Sequence, residues 1–270
     1  MEKKRLDIIL FERGYFESRE KAKSAIMAGN VLVNNDKADK PGTYFNDDCE
    51  IRIIGNTNPY VSRGGLKLER ALEEFQIDLK GKVIIDIGAS TGGFTDCALK
   101  NGAEKSYAID VGYGQLAWTL RQDPRVLTME RTNIRNVKTE DINEPADFVF
   151  IDVSFISIQK VIPIAANLLK ENGQIISLVK PQFEAGRGEV GKNGVVRKES
   201  IHKEVVKRII HFVATKGMTV INFCYSPIKG PKGNIEFFIQ VQKCSCGNSQ
   251  TISFQDVESI IEKAHKELYN

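Results

Sequence analysis

The sequence predicts an α/β protein: a parallel, doubly wound sheet preceded by a small α+β unit. From residue 59 on, short apolar runs recur at 83–87, 107–109, 126–129, 148–151 and 175–179, with helix-like segments between several of them. Strands buried on both faces read as continuous apolar runs, and their alternation with helices marks a parallel sheet covered on both sides. Residues 1–58 show a different order, two short helices feeding strands. Between the two patterns lies Gly55-Asn56-Thr57-Asn58-Pro59, polar and carrying Gly and Pro as a linker does. The expected domains are therefore 1–58 and 59–270.

In the first unit Leu6, Ile9 and Leu10 share one helical face, which Gly14 ends. Ser18 can cap a second helix, SREKAKSAIMAGN, whose Ala22, Ala25 and Ile26 face inward. Strands are expected at 31–33 and 50–54, with a turn-rich NNDKADKPG between them. In the second unit, 65–75 is amphipathic through Leu66, Leu68, Leu72 and Phe75. Helices are expected at 115–121, 159–170 and 198–216. Late strands are expected at 220–224 and 236–241, and a closing helix from Asp256.

Composition excludes several classes. At 270 residues, 41% hydrophobic and 27% charged, this is an ordinary soluble globular composition. No apolar run approaches the roughly 18–20 residues of a spanning helix, and MEKKRLDIILFERG resembles neither signal nor transit peptide, so a cytoplasmic, membrane-free protein is expected. Cys49, Cys97, Cys224, Cys244 and Cys246 are odd in number and irregular in spacing, unlike a disulfide framework. Cys244-Ser-Cys246 lacks a second Cys or His pair, with His202, His211 and His265 the only histidines, so no metal is expected. Net charge is only +3, and residues 1–58 hold ten basic and ten acidic side chains. Nucleic-acid binding must then rest on local arrangement rather than on bulk charge.

The chemistry-bearing motif is Val83-Ile84-Ile85-Asp86-Ile87-Gly88-Ala89-Ser90-Thr91-Gly92-Gly93-Phe94-Thr95-Asp96: a strand, a glycine turn and a helix start. Glycines let the backbone approach a ligand, and a helix start offers free N–H groups. The spacing G-x-x-x-G-G differs from the G-x-G-x-x-G of pyrophosphate binders. Asp86 in the strand end suits a cationic or amine-bearing ligand. Asp110 follows 24 residues later at the end of the next strand, where an acid can accept from both ribose hydroxyls. Adenosine without a pyrophosphate, beside an acid, points to S-adenosylmethionine.

Asp152 ends the fourth strand and Lys180 the fifth, in Leu178-Val179-Lys180-Pro181. Ligands of open α/β sheets sit at such ends. With Lys67 on the helix before the sheet and Glu236 opening a late strand, two lysines and two carboxylates could converge on one crevice.

Ser62-Arg63-Gly64-Gly65-Leu66-Lys67-Leu68, DIGASTGGFTD, Phe150-Ile151-Asp152 and Leu178-Val179-Lys180-Pro181 together resemble the FtsJ-type ribose 2′-O-methyltransferases. AIDVGYGQL, ERTNIRNV and KPQFEAGRGEVGKNGVV are similar to the TlyA-type rRNA methyltransferases, often labelled hemolysins. The likeness covers essentially the whole chain. It implies a Rossmann-like S-adenosylmethionine-dependent methyltransferase sheet, with a catalytic tetrad on Lys67, Asp152, Lys180 and Glu236. It implies cofactor positions on Gly92, Phe94, Asp110 and Asn133, the last where the wider family often has Asp. With the glycine-turn reading, the expected cofactor set is Asp86, Gly88, Ala89, Ser90, Gly92, Gly93, Phe94, Asp110, Val111 and Asn133.

RLDIILFERGYFESREKAKSAIMAGNVLVNN is similar to the alpha-L RNA-binding domain of ribosomal small-subunit protein four. That likeness implies RNA contacts by Arg5, Arg19, Lys21 and Lys23. Arg63 and the glycine-rich loop with Arg187 and Lys192 are expected on the substrate side. The implied reaction is ribose 2′-O-methylation, with cytidine as the implied nucleoside, on ribosomal RNA within subunits or ribosomes. Lys180 is the expected general base, a role that requires a neutral amine. Three rival classes are a membrane-active hemolysin, which the absence of a spanning segment disfavours, a nonenzymatic RNA-binding assembly factor, which the intact tetrad disfavours, and a nicotinamide-dependent oxidoreductase, which fails on the glycine spacing.

Overall fold

A computed structural model describes residues 3–16, 18–54, 58–186, 188–243 and 251–269, with the Lys192 side chain excepted. The chain divides into two compact units, Met1–Asn58 and Pro59–Asn270. Cys244 and Cys246 lie outside the described residues; Cys49, Cys97 and Cys224 are buried free thiols.

The first unit runs β1 (Lys3–Arg5), α1 (Leu6–Glu12), α2 (Arg19–Met27), β2 (Val31–Val33), β3 (Asp36–Ala38), β4 (Tyr44–Asn46) and β5 (Ile51–Ile53). Leu6, Ile9 and Leu10 pack with Ala22, Ile26, Val31 and Val33 in its core. The Ser18 hydroxyl accepts from the Lys21 N–H at 3.2 Å, capping α2. The expected turn-rich stretch contains an additional strand. Val33 pairs with Asp36 across Asn34-Asn35, whose φ values are 52° and 67°. Two consecutive left-handed residues make the tight hairpin turn that asparagine tolerates best after glycine. β1 pairs with β4, and β2 lies between β3 and β5.

The second unit runs α3 (Gly64–Glu74), β6 (Val83–Ile87), α4 (Gly93–Lys100), β7 (Lys105–Ile109), α5 (Trp118–Arg121), β8 (Val126–Met129), β9 (Ala146–Ile151), α6 (Ile162–Asn167), β10 (Leu169–Val179), α7 (Pro181–Glu184), α8 (Glu199–Thr215), β11 (Met218–Tyr225), β12 (Phe237–Lys243) and α9 (Phe254–Leu268). Seven strands form one sheet in the order β11-β12-β10-β9-β6-β7-β8. Strands β6 to β10 pair in parallel, and β12 enters antiparallel between β10 and β11.

Alternation along each strand divides the core between the two faces of the sheet. Val83, Ile85 and Ile87 join Ile175, Val179, Phe237 and Ile239 under α6, α8 and α9. Ile84, Ile176, Leu178 and Phe238 join Leu68, Leu72, Phe94 and Cys97 of α3 and α4. Two expected helices are shorter than their patterns. Only Trp118–Arg121 is helical in 115–121, because the preceding loop turns back and the Ala117 N–H donates to the Thr91 carbonyl at 3.1 Å. The 159–170 segment is a 3-10 turn, Ile158–Lys160, followed by α6, and Leu169 already pairs with Ala146 in the sheet. Glu236 stands immediately before its strand rather than opening it.

The strand order reverses at β6, with β7 and β8 on one side and β9 and β10 on the other. A crevice opens at the carboxyl ends there. Gly88 follows β6 at φ 86°, and a Cβ on it would lie 2.4 Å from the Asp152 carbonyl oxygen. Gly88→Ala is therefore expected to cost about 2–5 kcal/mol, combining left-handed strain with overpacking against backbone. Denaturant melts would measure it; a loss within about 0.5 kcal/mol, the range of neutral surface changes, would contradict the close approach.

Candidate active site

A cleft of ≈ 330 Å³ occupies this crevice. One wall is the glycine turn after β6, contributing Asp86, Gly88, Ala89, Ser90, Gly93 and Phe94. A second is the start of α3, contributing Ser62, Arg63, Gly64 and Lys67. Asp152 and a loop at 228–231 complete it. The two helix starts meet closely: a Cβ on Gly93 would lie 2.3 Å from the Ser62 hydroxyl oxygen and 2.9 Å from the Gly65 nitrogen. The glycines of SRGG and GGF thus permit two backbones to share one wall.

Asp86 is 1% exposed and lies on the α3/α4 side of the sheet. One carboxylate oxygen accepts from the Thr95 N–H at 3.0 Å and the Thr95 hydroxyl at 2.8 Å. The other, Oδ1, has no hydrogen-bond partner among the described residues. Burial pushes this carboxyl up to about 7, and the charges of Asp152 and Asp110 add to the rise against the Thr95 hydrogen bonds. A buried, half-satisfied acid beside a cleft is matched by a cationic group of a ligand.

Asp110, Val111 and Asn133 stand beyond the residues that line this cleft. The Asp110 carboxylate accepts from the Ser90 N–H at 2.8 Å and the Gly112 N–H at 2.6 Å, so it ties the glycine turn to the loop after β7. Each oxygen retains a lone pair for a hydroxyl donor. Val111 is 71% exposed. The Asn133 side chain accepts from the Arg135 N–H at 3.1 Å and caps a short 3-10 turn. Gly92, at φ 93°, is fixed by packing, since a Cβ there would meet Leu120 Cδ1 at 2.3 Å.

The four catalytic candidates form two ion pairs. Lys67 Nζ lies 2.6 Å from Glu236 Oε2, with both residues buried. Lys180 Nζ lies 2.6 Å from Asp152 Oδ1 and donates to the Ser154 hydroxyl at 3.0 Å. Lys67 and Asp152 line the cleft, and Glu236 and Lys180 are their ion-pair partners.

The sequence reading missed several site residues. Ser154 is one. Ile228, Lys229 and Pro231 are others, on a Ser-Pro-Ile-Lys-Gly-Pro-Lys-Gly run whose Pro and Gly content marks a functional loop. A Cβ on Gly230 would lie 2.4 Å from Glu236 Oε1, so that loop packs directly on the carboxylate. Phe155 is 91% exposed at φ 64°, with its ring 5.1 Å from that of Phe183. A bulky residue held in the left-handed region is rare and concentrates at functional sites.

In the first unit Arg5 and Arg19 both bind the buried Asp7 carboxylate, at 2.9 and 2.8 Å. Burial raises that carboxyl, but hydrogen bonds from Arg5 and then Arg19 outweigh it and hold it below the usual range. Lys23 pairs with Glu20 at 2.7 Å, and Lys21 and Arg63 are exposed. Arg187 and the Lys192 side chain lie outside the described residues.

A reversed parallel sheet with an acid and a glycine turn at its switch point defines an α/β enzyme of the nucleoside-cofactor class. The FtsJ-like methyltransferase profile matches residues 60–243 and the S4 domain profile residues 4–43. The Bacillus subtilis (strain 168) protein YqxC is 51% identical over 268 residues, 98% of this chain and 95% of that one. The 16S/23S rRNA (cytidine-2′-O)-methyltransferase TlyA of Mycobacterium tuberculosis (strain ATCC 25618 / H37Rv) is 39% identical over 264 residues, 97% of each chain. A solved Streptococcus thermophilus structure, 44% identical, covers 100% of this chain and 98% of its own with a TM-score of 0.79. The chain belongs to the FtsJ-like methyltransferase family and carries an S4 domain.

It is an S-adenosylmethionine-dependent enzyme, and the residues present fit that cofactor. Asp86 Oδ1 offers an unpaired buried acceptor to a cation, and the glycine turn offers bare backbone. Because Asp86 titrates near 7 and its carboxylate form is the one that attracts a cation, affinity is expected to rise with pH through that range. Below it, binding should release a proton to solvent. Calorimetry from about pH 6 to pH 8, in buffers of different ionisation enthalpy, measures both effects; a flat affinity without proton release would remove Asp86 from the cation site.

Proposed function

We propose that this enzyme methylates a ribose 2′-oxygen, of cytidine, in ribosomal RNA within subunits or ribosomes, in the cytoplasm where ribosomes are. The observation that carries the reading is the Lys180–Asp152 pair at the carboxyl ends of β10 and β9, joined by Ser154 and set beside the cleft. S-adenosylmethionine supplies an activated methyl group on sulfonium; the protein's task is to orient and deprotonate a reluctant hydroxyl. In this reading the Lys180 amine takes the hydroxyl proton, Asp152 and Ser154 aim it, and Lys67 with Glu236 forms the opposite side of the array. The relatives named rRNA (cytidine-2′-O)-methyltransferases support both the nucleoside and the polymer.

The remaining surface suits RNA. Phe155 presents an open aromatic face beside Asp152 and Ser154, and splayed bases stack on such faces. Arg5 and Arg19 are held in place by Asp7 while 38% and 45% of their side chains stay exposed, a preset pair of phosphate donors. Arg63 at the cleft, and Lys21, Lys23, Arg187 and Lys192, are further proposed contacts.

One relative, from Brachyspira hyodysenteriae, is named hemolysin A; it is 44% identical over 234 residues, 86% of this chain and 97% of that one. Among the described residues no helix is long and apolar enough to cross a membrane. The apolar faces of α8 and α9 are spent on the sheet through Val205, Val206, Ile209, Val257 and Ile261. These facts favour the enzymatic reading.

Lys180→Ala is expected to lower turnover on ribosomal RNA by roughly 10²–10⁴-fold, as loss of a general base does. Lys180→Arg should be nearly as poor, because a guanidinium keeps charge but does not become neutral. Cofactor affinity should stay within a few-fold in both. Near-parent turnover by Lys180→Arg would make the lysine a positive anchor and move the base elsewhere.

A further inference from the structure

The last turn of α9 reaches Val196 and the 228–236 loop, which lines the cleft through Ile228, Lys229 and Pro231. α9 is anchored through Val257, Ile261 and Ala264, all fully buried. From its last turn, the Tyr269 hydroxyl donates to the Val196 carbonyl at 3.1 Å. His265 Nε2 lies 2.8 Å from His202 Nδ1, and His202 Nε2 lies 3.1 Å from that same Val196 carbonyl. One arrangement satisfies the set: His265 donates to His202, and His202 donates to Val196. It requires the His202 ring neutral. Burial pushes fully buried His202 down to about 4, and neighbouring His265 adds to the shift against Val196 and Glu199.

Val196 closes the glycine-rich 186–196 stretch. Its N–H donates to the Asn234 side-chain oxygen at 2.9 Å, and the Asn234 amide donates to the Gly194 carbonyl at 3.0 Å. Asn234 is 1% exposed, and its own carbonyl accepts from the Gly230 N–H at 2.9 Å. The same loop is tied to α9 a second time. Lys229 Nζ donates to the Leu268 carbonyl at 2.6 Å and lies 5.4 Å from the centre of the Tyr269 ring. Lys229 and Pro231 wall the cleft, Gly230 abuts the Glu236 carboxylate, and Glu236 holds Lys67.

We propose that the last turn of α9, through Tyr269, His265 and the Leu268 carbonyl, is a positioning element that sets the 228–236 loop, and through it the Glu236–Lys67 pair, for methyl transfer. None of these three groups lines the cleft, so the element acts through Lys229, Val196 and Asn234. The consequence for turnover rests on the function proposed above; the brace itself does not.

Two variants separate its parts. Tyr269→Ala removes both the hydroxyl and the ring under Lys229, whereas Tyr269→Phe removes only the hydroxyl. Amide hydrogen exchange, which needs no substrate, should rise at Val196 in both variants and, only in Tyr269→Ala, at Gly230 and at Ser226, whose N–H donates to the Glu236 carbonyl at 2.8 Å. Turnover on ribosomal RNA should fall roughly 10-fold or more in Tyr269→Ala, within the 10²-fold that a misplacement of about 1 Å can cost. It should largely recover in Tyr269→Phe, with cofactor affinity and melting temperature little changed. Lys229→Met combined with Tyr269→Ala should be no worse than the poorer single variant, because both break one brace. Unchanged exchange at Gly230 in Tyr269→Ala would overturn the brace. Raised exchange with parent turnover, or losses that multiply in the double variant, would overturn its positioning role. A parent chain inactive on ribosomal RNA would defeat the function above and leave exchange to decide the brace.

Discussion

The working parts of this enzyme depend on the bare Cα of Gly88 lying against the main-chain carbonyl of Asp152. The Gly88 N–H donates to the Ile109 carbonyl at 2.9 Å, and the Asp152 N–H donates to the Ile87 carbonyl at 2.9 Å. Three strand ends are thereby brought to one point. Two residues before Gly88, the strand alternation turns Asp86 toward α3 and α4, where Thr95 meets it. At Asp152 the chain carries the carboxylate that holds Lys180. A side chain at Gly88 would force β6 and β9 apart and separate the glycine turn from the Lys180–Asp152 pair.

Charge burial follows a clear division in this cleft. Lys67 is matched by Glu236 and Lys180 by Asp152, while among the described residues Asp86 has hydrogen bonds but no cationic partner. Buried ion pairs seldom add net stability, because desolvation offsets most of their attraction. Two of them near one cleft add little to the stability of the fold, which accords with the catalytic role proposed for them. Asp86 is the complementary case: its burial raises the energy of the carboxylate, and a bound cation would relieve it.

Much of the architecture was legible because the sheet's strands are buried on both faces and therefore appear as unbroken apolar runs. Phe150, Ile176 and Phe238 belong to one side of the sheet and Val149, Ile175 and Phe237 to the other, yet all are buried. Asp86, Asp110, Asp152 and Lys180 were visible because each interrupts or ends such a run. Other features left weaker traces. Asn34-Asn35 has the composition of any turn, and only paired left-handed backbone distinguishes it as a hairpin. The 115–121 segment has helical periodicity, but a tertiary hydrogen bond from Ala117 to Thr91 holds its first half as loop. Ser154 is an ordinary loop serine until Lys180, 26 residues later, is folded beside it. That Arg5 and Arg19 share the Asp7 carboxylate was not legible, because the burial of Asp7 between them has no signature in composition.

The central claim is a bond formed at a ribose oxygen of RNA, and the product's chemical identity tests it most directly. Purified full-length chain would be incubated with isolated ribosomal subunits and S-adenosylmethionine labelled in the methyl group. The RNA would then be digested to nucleosides and analysed by mass spectrometry. The account predicts the label in 2′-O-methylcytidine, whose methyl stays with the sugar when the glycosidic bond is fragmented. Label on a base, or RNA that stays unlabelled while the cofactor binds, would contradict it.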